Sequence, residues 1–450
     1  MEVSLSYSSY LVRDTDRVPR WSLTMAWWAL FSAMFWIYVA VASAGAVGLG
    51  NTLIGMALTV ATYGVVNLVL SRYAARTGLT VELFSRSLFG ILGSALATLI
   101  FAATAIYYAV FEGSIIAVAL QKSFGGQINL WYLLVVVYAI PLAVGPVQRW
   151  LDRLNGILLP IYVVGLVAVV VAATVQHGAP TAIFDVAAAG PLPGWLTSYL
   201  IYMGVWIMMM YTFDYARLGR PADRKFHGTI TFGWVFYLFT FAVNGLIGIY
   251  VIAATGHEGS ETGVVDAFLG TLGFFGLLVI FVSQTRINTA NYYLASTNLD
   301  AFATRVFRLA LPRWVWVIVS GGIAYLLMLT NVVTWLLKAL AWQGVFVTAW
   351  VTIALVAIAL TRASGALPEV RRDRLSAITP GAIVWIVAAA VGIVLTEVNA
   401  GVLTSLAPLV TVAIAGVGAV LVFRAWPPRV IDEGGADAAE SLELDEQHLR

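Results

Sequence analysis

The chain has 450 residues, of which 61% are hydrophobic and only 11% are charged, and its mean hydropathy is +0.89. Because a soluble domain is typically about 25% charged, this composition indicates an integral membrane protein and excludes an ordinary soluble domain. The chain has no Cys, which excludes disulfides, thiolate catalysis and Cys-ligated metals. Its four His lack a metal-binding spacing, so we expect no metal site and no cofactor. The net charge of +2 gives no indication of a nucleic-acid partner.

Apolar runs recur along the whole chain, and each is long enough to cross about 30 Å of hydrocarbon as a helix. Taken in chain order, they predict twelve membrane spans, at residues 22–47, 51–71, 94–121, 129–145, 157–175, 194–216, 229–254, 266–298, 314–330, 332–361, 379–396 and 400–424. We therefore expect an all-α integral membrane protein that is surrounded by the lipid bilayer. The segments between the spans are too short to form a separate catalytic domain.

The positions of the basic residues test this span count. If the N-terminus is inside the cell, all of the 25 Lys and Arg residues except Lys122, Lys338 and Arg286 fall in inside segments or at their edges. This positive-inside pattern predicts a multi-pass protein of the plasma or inner membrane with both ends in the cytoplasm. The predicted parts are a cytoplasmic N-terminal segment at 1–20, a single transmembrane domain at 21–426 and an acidic cytoplasmic tail at 427–450, disordered or frayed.

Two ionisable side chains lie deep inside apolar stretches. Glu112 is part of FAATAIYYAVFEGSIIAVAL, and Arg286 is part of LLVIFVSQTRINTANYYLA. A charge at the centre of the bilayer costs about 2.5–3.5 kcal/mol on insertion scales, so such residues usually mark a substrate or ion path. The structural alternative is a buried ion pair between the two, in which removing one partner would cost about 3–5 kcal/mol.

Three spans contain small or polar residues that a helix facing lipid does not need. The first span ends in SAGAVGLG, the sixth contains MGVWIMMMYTFDYAR, and the eighth contains SQTRINTANYY, with seven polar residues within eleven positions. A polar patch at this depth must face protein or water. Interruptions in the first and sixth spans, which are corresponding members of two five-helix repeats, are typical of a transporter with its site between the repeats.

Three motifs resemble the nucleobase–cation symporter-1 family, the purine–cytosine permeases. GLTVELFSRSLFGILGS, after the second span, is similar to the family signature of a Gly, an Arg and FGxxGS at the start of the third helix. FDYAR in the sixth span and SLTMAWWALFSAM in the first are also similar, and the resemblance covers about residues 20–325. It implies a leucine-transporter-type fold of two inverted five-helix repeats plus two C-terminal helices. The substrate would bind at mid-membrane between helices 1, 3, 6 and 8.

The resemblance also implies roles in substrate binding. In bacterial members of the family that carry hydantoins, two Trp sandwich the heterocycle while a Gln and an Asn hydrogen-bond it. The matching residues here are Trp206, Tyr108, Glu112 and Asn291. Trp206 and Asn291 thus keep the residue types of the family, whereas Tyr108 replaces the second Trp and Glu112 replaces the Gln. Tyr107, beside Tyr108, is an alternative aromatic partner.

The resemblance further implies a position for a coupling cation. The sodium site of the family uses two carbonyls of the first helix, which match Ala29 and Ser32, and one of the eighth, which matches Val282. Its two hydroxyl ligands match Thr285 and Arg286. Because a guanidinium replaces a hydroxyl, we expect Arg286 to supply the positive charge that sodium would bring, so that sodium coupling is lost.

Several of these residues also have a purely structural interpretation. Trp206 is one of 16 Trp residues and would serve as core, and Asn291 would join two helices through a polar contact. The three consecutive Met at 208–210 are expected to face lipid or to pack adaptably. Asp214 and Arg217 are expected to form a salt link or a gate contact at the end of the sixth span.

These observations favour a secondary active transporter that imports a small nitrogen heterocycle, such as a nucleobase, by alternating access coupled to protons or sodium. We expect proton coupling or uniport rather than sodium symport, with Glu112 protonated during the cycle or binding a donor-rich substrate. The alternative is a carrier for an amino acid or organic cation on the same fold, with Glu112 as counter-ion. An enzyme is not expected, because the chain offers no nucleophile–base pair or metal set. The oligomeric state stays open, and a monomer is compatible with the sequence.

Overall fold

The computed structural model describes residues 11–12, 16–144, 147–188, 190–309, 311–330, 336–361, 367–398 and 400–431. Over these residues the protein is almost entirely α-helical, with one sheet of two short strands. Most of the predicted N-terminal segment and nearly all of the predicted acidic tail, residues 432–450, lie outside the described residues.

The first half of the chain contains two bent membrane helices. Its helices are α1 (Arg20–Trp27), α2 (Met34–Val47), α3 (Leu49–Thr77), α4 (Val81–Phe124), α5 (Ile128–Val144), α6 (Val147–His177), α7 (Gly194–Met203) and α8 (Ile207–Ala216). A 3-10 turn, Leu30–Ser32, separates α1 from α2, and the two parts are bent by 45°. Helices α7 and α8 are also bent by 45°. The first and sixth predicted spans are therefore the two broken ones.

The second half begins with a helical run of mixed hydrogen-bond pattern. It comprises a 3-10 turn (Pro221–Asp223), α9 (Arg224–Phe226), a π-turn (His227–Thr231), α10 (Trp234–Tyr237), a second π-turn (Leu238–Val243) and α11 (Asn244–Thr255). The later helices are α12 (Glu261–Leu272), α13 (Phe274–Phe307), α14 (Arg313–Leu329), α15 (Leu336–Thr361), α16 (Pro380–Glu397), α17 (Val402–Ser405) and α18 (Ala407–Ala425). Strand β1 (Leu367–Pro368) pairs antiparallel with β2 (Val430–Ile431), and a 3-10 turn covers Arg372–Arg374.

The predicted all-α membrane architecture is confirmed. Within the described part of the chain, seven helices are long and apolar enough to cross a membrane, or nine if each bent pair counts as one span. The other three predicted spans correspond to α5 and α14, which are apolar but shorter, and to α13, which carries the polar patch in its middle. Each of the twelve predicted spans thus has a helical counterpart among the described residues.

Helix α4 differs from its predicted span, because it starts earlier and kinks. Thr80 caps its N-terminus by accepting a hydrogen bond from the Leu83 N–H (2.9 Å). At Gly90 the backbone has φ +77°, a left-handed conformation that glycine adopts without strain. Carbonyls of the loop at 376–379 accept hydrogen bonds from the first N–H groups after this kink. The predicted eighth span is also divided, since Gly273 (φ +56°) separates α12 from α13.

Helices α4 and α13 form the centre of the molecule. They pack against each other more extensively than any other pair of described elements, and α13 also packs on α5, α6 and α14. The 3-10 turn of the first span packs on α13 as well. Glu112 is therefore only 1% exposed, and Arg286 is fully buried. This packing brings the break in the first span next to the polar patch of the eighth.

A buried ion cluster lies at the end of the molecule that we predicted as cytoplasmic. Glu82, in the first turn of α4, lies 2.7 Å from Arg86 and also pairs with Arg305 near the end of α13. Arg86 donates a further hydrogen bond to the Val370 carbonyl (3.3 Å), just after β1. Strand β2, which pairs with β1, lies within the first few residues of the segment predicted as the tail.

Candidate functional site

The break in the first membrane span leaves carbonyl groups that need new hydrogen-bond donors. In an α-helix each carbonyl accepts from the N–H four residues later, and the extended Ala33 (φ −59°, ψ 126°) interrupts this pattern. Side chains donate to the carbonyls of Trp28, Ala29, Leu30, Phe31 and Ser32, and those of Ala29 and Leu30 also accept from the Ser32 and Ala33 N–H groups. The buried backbone of the break is therefore satisfied, as buried polar groups require.

Three of these donors come from other membrane helices. Asn244 Nδ2 of α11 donates to the Phe31 carbonyl (2.6 Å). Two groups of α13 also donate, Ser283 Oγ to the Ser32 carbonyl and Arg286 Nη2 to the Trp28 carbonyl (3.2 Å). The first span supplies the other two donors. Ser32 Oγ donates to the Ala29 carbonyl (2.8 Å), and Trp36 Nε1 donates to the Leu30 carbonyl (2.7 Å). Helix α13 thus holds the break from one side and α11 holds it from another.

Glu112 and Arg286 lie in the same region but bond to different groups. The carboxylate of Glu112 accepts a hydrogen bond from the side-chain amide of Gln284, whereas Arg286 reaches the Trp28 carbonyl. An ion pair between Glu112 and Arg286 is not among the contacts of the described residues. Sequence reasoning missed the central role of Gln284, and the only signal for it was its membership of the polar patch.

The predicted aromatic residues lie beside the break in the sixth span. Trp206 directly precedes α8 and is 5% exposed, and its indole N–H has no hydrogen-bond partner among the described residues. Tyr108 of α4 is buried against the edge of Phe35 in α2, with ring centroids 5.3 Å apart. Its hydroxyl approaches the amide of Gln343 on α15 without reaching hydrogen-bond geometry. Tyr107 is only partly buried, next to Tyr108.

Two Asn side chains of α13 add polar groups to this centre. Asn291, predicted as a ligand, is buried, and its Nδ2 has no hydrogen-bond partner in the part of the chain that the structure describes. The same holds for both polar atoms of Asn288, which faces Gly113 of α4. Buried polar groups are normally hydrogen-bonded, so these amides are candidates for ligand contacts. Asn288 was not predicted, although it lies in the same patch.

The structure brings three of the five predicted cation positions together. The carbonyls of Ala29 and Ser32 and the guanidinium of Arg286 all lie at the break. Val282 is buried on α13. The hydroxyl of Thr285 lies elsewhere, because it donates to the Phe281 carbonyl (2.6 Å) and is 3.0 Å from the Tyr138 hydroxyl of α5. The α13 hydroxyl that faces the break is instead that of Ser283.

The other polar and sulfur-containing residues of the sixth span have packing roles. Met208, Met209 and Met210 are all buried, so they pack inside the protein rather than face lipid. Asp214 accepts a hydrogen bond from the Val81 N–H (2.7 Å), and Arg217 Nε donates to the backbone carbonyl of Asp214 (3.1 Å). The first of these contacts ties the end of α8 to the start of α4. Among the described residues, no three His, Asp or Glu side chains come together as metal ligands would.

A cavity of about 320 Å³ borders the break in the sixth span. It lies between the two broken helices and α15, and its lining includes Phe35, Tyr38, Gly204, Val205, Ala341 and Gly344. The residues that line it carry no charge. Such a space admits an uncharged or weakly polar ligand more readily than an ion, since an ion would lose its hydration there.

Comparison with known proteins identifies the fold. No protein-family profile matches the chain, and no curated protein matches its sequence. Solved structures do match it. The inward-facing conformation of Mhp1 superposes with a TM-score of 0.73 at 16% identity, covering 98% of this chain and 97% of that chain. A closed conformation of Mhp1, a nucleobase-cation-symport-1 family transporter with bromovinylhydantoin bound, gives a TM-score of 0.70 at 16% identity, covering 97% and 99%.

A further neighbour extends the likeness beyond Mhp1. The substrate-bound outward-open state of a Na⁺-coupled sialic acid symporter superposes with a TM-score of 0.61 at 14% identity, covering 94% of this chain and 93% of that chain. These identities are low, so the likeness is one of fold. The predicted fold class, an all-α membrane transporter fold of the leucine-transporter type, is confirmed.

Proposed function

We propose that the protein is a secondary active transporter that imports a small planar nitrogen heterocycle by alternating access. The observation that carries this proposal is the arrangement of two broken helices around buried polar side chains of α4 and α13. Transporters of this kind bind substrate at mid-membrane depth, where broken helices expose backbone polar groups. The fold shared with Mhp1 and with the sialic acid symporter supports the same class of protein.

A flat heterocycle suits the side chains proposed for the site. Trp206 and Tyr108 offer flat aromatic faces, and offset stacking adds about 0.5–1.5 kcal/mol beyond the burial of area. The amide of Asn291 and the carboxylate of Glu112 offer hydrogen-bonding groups for the edge of the ring. The uncharged cavity beside the break of the sixth span is lined by Gly204 and Val205, which directly precede Trp206, but not by these four side chains themselves. The closed Mhp1 structure holds bromovinylhydantoin, a ligand of this general shape.

We further propose that protons drive transport, or that it is uncoupled, and that sodium does not drive it. The carbonyls of Ala29 and Ser32, which match sodium ligands, already accept hydrogen bonds from Ser side chains. Arg286 adds a fixed positive charge at the same break, and a second cation beside it would be repelled. Glu112 is a buried carboxyl group that a transported proton would occupy.

Uptake into proteoliposomes tests both parts of this proposal. Radiolabelled uracil, hydantoin and hypoxanthine would be offered under an inward proton gradient, an inward sodium gradient or no gradient. We expect saturable uptake of at least one of them, with no stimulation by sodium. Strict sodium dependence with Arg286 intact would contradict the coupling proposal. No saturable uptake of any heterocycle would contradict the proposed substrate class.

The carrier for an amino acid or organic cation remains the alternative. It requires Glu112 to act as a counter-ion, whereas the described partner of this carboxylate is the neutral amide of Gln284. No observation favours this alternative over the heterocycle. Binding of amines that is lost in Glu112→Gln, with binding of neutral bases retained, would support it.

A further inference from the structure

Four exposed cations lie at the end of the molecule that the positive-inside pattern predicts to be cytoplasmic. They are Arg20, Arg72, Arg224 and Lys225, and we call them the basic surface. They belong to the start of α1, the end of α3 and α9, and the helical run at 221–231 packs against both α1 and α3. Residues 16–20, 72–76 and 220–227 together carry seven basic but only two acidic side chains.

Two contacts bring the cations of α1 and α3 to α9 and the π-turn that follows it. The guanidinium of Arg20 lies over the ring of Phe226, 5.3 Å from its centroid, and Phe226 ends the helix that supplies the other two cations. Arg72 lies beside Gly228, because a Cβ added at Gly228 would be 3.4 Å from Arg72 Nε. Charges from three parts of the chain therefore surround residues 224–228.

The protein provides no anion for the basic surface. In the part of the chain that the structure describes, none of its four residues forms an ion pair. The buried Arg86 and Arg305, by contrast, share the carboxylate of Glu82. Like charges held together repel one another, so an anion that binds among them would stabilise the folded protein.

The exposed face of α3 places the basic surface at the boundary of the membrane. Leu58, Val65, Val69, Arg72 and Arg76 are all exposed and follow one another at spacings of three, four or seven residues, so they share one face of the helix. Because α3 is long and apolar enough to cross a membrane, the apolar part of this face lies against lipid. The face changes from apolar to cationic within one turn, as at the depth of the headgroups.

Apolar surface continues from the cations towards the middle of the membrane. Gly64 of α3 has no side chain, and Trp234, at the start of α10, packs against it, since an added Cβ would lie 2.8 Å from the Trp234 Cβ. Trp234 remains 51% exposed, and Val65, which follows Gly64, is 64% exposed. Tryptophan is enriched at membrane interfaces. An acyl chain would therefore meet apolar side chains directly beside the basic surface.

We propose that the basic surface binds the headgroup phosphate of an anionic phospholipid, whose acyl chain lies along α3 and Trp234. A free anion would use the cations but not the apolar surface beside them, and a zwitterionic lipid brings no net charge to the cations. The bound lipid joins α1, the first half of a broken span, to α3 and to the start of the seventh span. This site is separate from the proposed substrate site and does not depend on which solute is transported.

Two lipids with the same acyl chains test this proposal on the purified full-length protein in detergent. Phosphatidylglycerol is the anionic probe and phosphatidylcholine is the zwitterionic one. Apparent dissociation constants come from the dependence of the unfolding temperature on the mole fraction of lipid, because a ligand of the folded state stabilises it. We expect phosphatidylglycerol to bind about tenfold or more tightly, with a smaller difference at high salt. Inorganic phosphate should not reproduce its effect.

Matched double variants test the location of the site. Arg72→Gln with Lys225→Gln removes two charges of the basic surface. Phosphatidylglycerol should then bind about 25-fold more weakly, since each basic residue near an anionic lipid contributes about fivefold. Arg308→Gln with Arg424→Gln is the control, because it removes the same charge from exposed residues at the ends of α13 and α18. It should keep the wild-type affinity.

Three results would overturn the proposal. Equal affinity of the wild type for the two lipids would show that the headgroup charge is not recognised. An equal loss of affinity in both double variants would show that net charge, rather than the basic surface, attracts the lipid. Stabilisation by inorganic phosphate as large as that by phosphatidylglycerol would show that the ligand is a free anion and not a lipid.

Discussion

At the scale of single residues, Arg286 places a positive charge at the break in the first span. Its guanidinium is buried and donates to the Trp28 carbonyl. Arginine stays protonated in proteins, so this charge is permanent, whereas a bound sodium ion arrives and leaves. A conformational cycle that depends on filling and emptying a cation site cannot use a charge that is covalently attached.

Replacing Arg286 with Ser tests this view. Arg286→Ser removes the fixed charge and restores a hydroxyl at the position that matches a sodium ligand. We expect sodium to raise the unfolding temperature of this variant by about 2 °C over potassium at equal concentration, because an ion that binds only the folded state stabilises it. The wild type should show no difference between the two salts. Equal unfolding temperatures of the variant in both salts would contradict the idea.

A second prediction concerns the hydroxyl that holds the break. Ser283→Ala removes the donor to the Ser32 carbonyl, and leaving a buried acceptor unsatisfied costs about 1–3 kcal/mol. Thr285→Val is the comparison on the same helix, because the Thr285 hydroxyl bonds the Phe281 carbonyl of its own helix and the Tyr138 hydroxyl of α5, and neither group belongs to the break. We expect the larger loss of thermal stability in Ser283→Ala. A greater loss in Thr285→Val would mean that the wrong hydroxyl has been assigned.

The hydroxyls of Ser283 and Thr285 also show what the sequence alone does not predict. Motif matching pointed to the polar patch of α13, and the structure places Arg286 and Ser283 of that patch at the break. It could not tell Ser283 from Thr285. Successive positions on a helix differ by about 100°, so these two side chains point about 200° apart, and the motif does not say which of them faces the break. Which hydroxyl faces the break depends on how α13 is rotated against its neighbours. That rotation is set by packing, and a motif does not record it.

At the scale of elements, the spans were predictable and the kink in α4 was not. A long apolar run is enough to predict a membrane helix, and each of the twelve predicted spans has a helical counterpart. The kink at Gly90 depends on partners far along the chain, since Thr379 bonds the Leu88 carbonyl across 291 positions. Gly90 belongs to the FGxxGS motif, but glycine within a membrane helix is common, so the motif did not predict a kink there.

A pair of glycine substitutions tests the role of the kink. Gly90 and Gly125 have nearly the same φ, +77° and +73°, so Ala is strained at both. At Gly90 an added Cβ would also lie 2.6 Å from the Ser376 carbonyl oxygen, whereas at Gly125 it would meet open space. We expect Gly90→Ala to lower the unfolding temperature clearly more than Gly125→Ala. Equal effects would show that the loop at 376–379 moves aside without cost.

At the scale of the whole molecule, the Glu82 cluster joins parts of the chain that lie far apart in sequence. Its carboxylate pairs with Arg86 and Arg305, and Arg86 reaches the segment after β1. The two central helices and the C-terminal strand pair are therefore linked at one end. The positive-inside pattern predicts that this end is cytoplasmic, because most basic residues fall on that side.

Removing the carboxylate of this cluster should destabilise the whole protein. Glu82→Gln removes the anion that pairs with two buried guanidinium groups, and breaking a buried ion pair in this way costs about 3–5 kcal/mol. Glu397→Gln is the control, since Glu397 pairs with Lys338 at 2.8 Å on an exposed surface, where ion pairs contribute little. Thermal unfolding of both variants in the same detergent is the measurement. Similar unfolding temperatures for the two variants would show that the cluster is not structural.

The pairing of β1 with β2, beside this cluster, requires residues that are synthesised after the last membrane helix. Strand β2 follows the last membrane helix, and the Glu369 N–H donates to the Arg429 carbonyl (2.8 Å). A nascent or truncated chain that stops before Arg429 lacks these partners and presents an open strand edge, which other chains can pair with. Synthesis of the chain past Ile431, rather than insertion of any one helix, is therefore required before this end of the protein can form its strand pair.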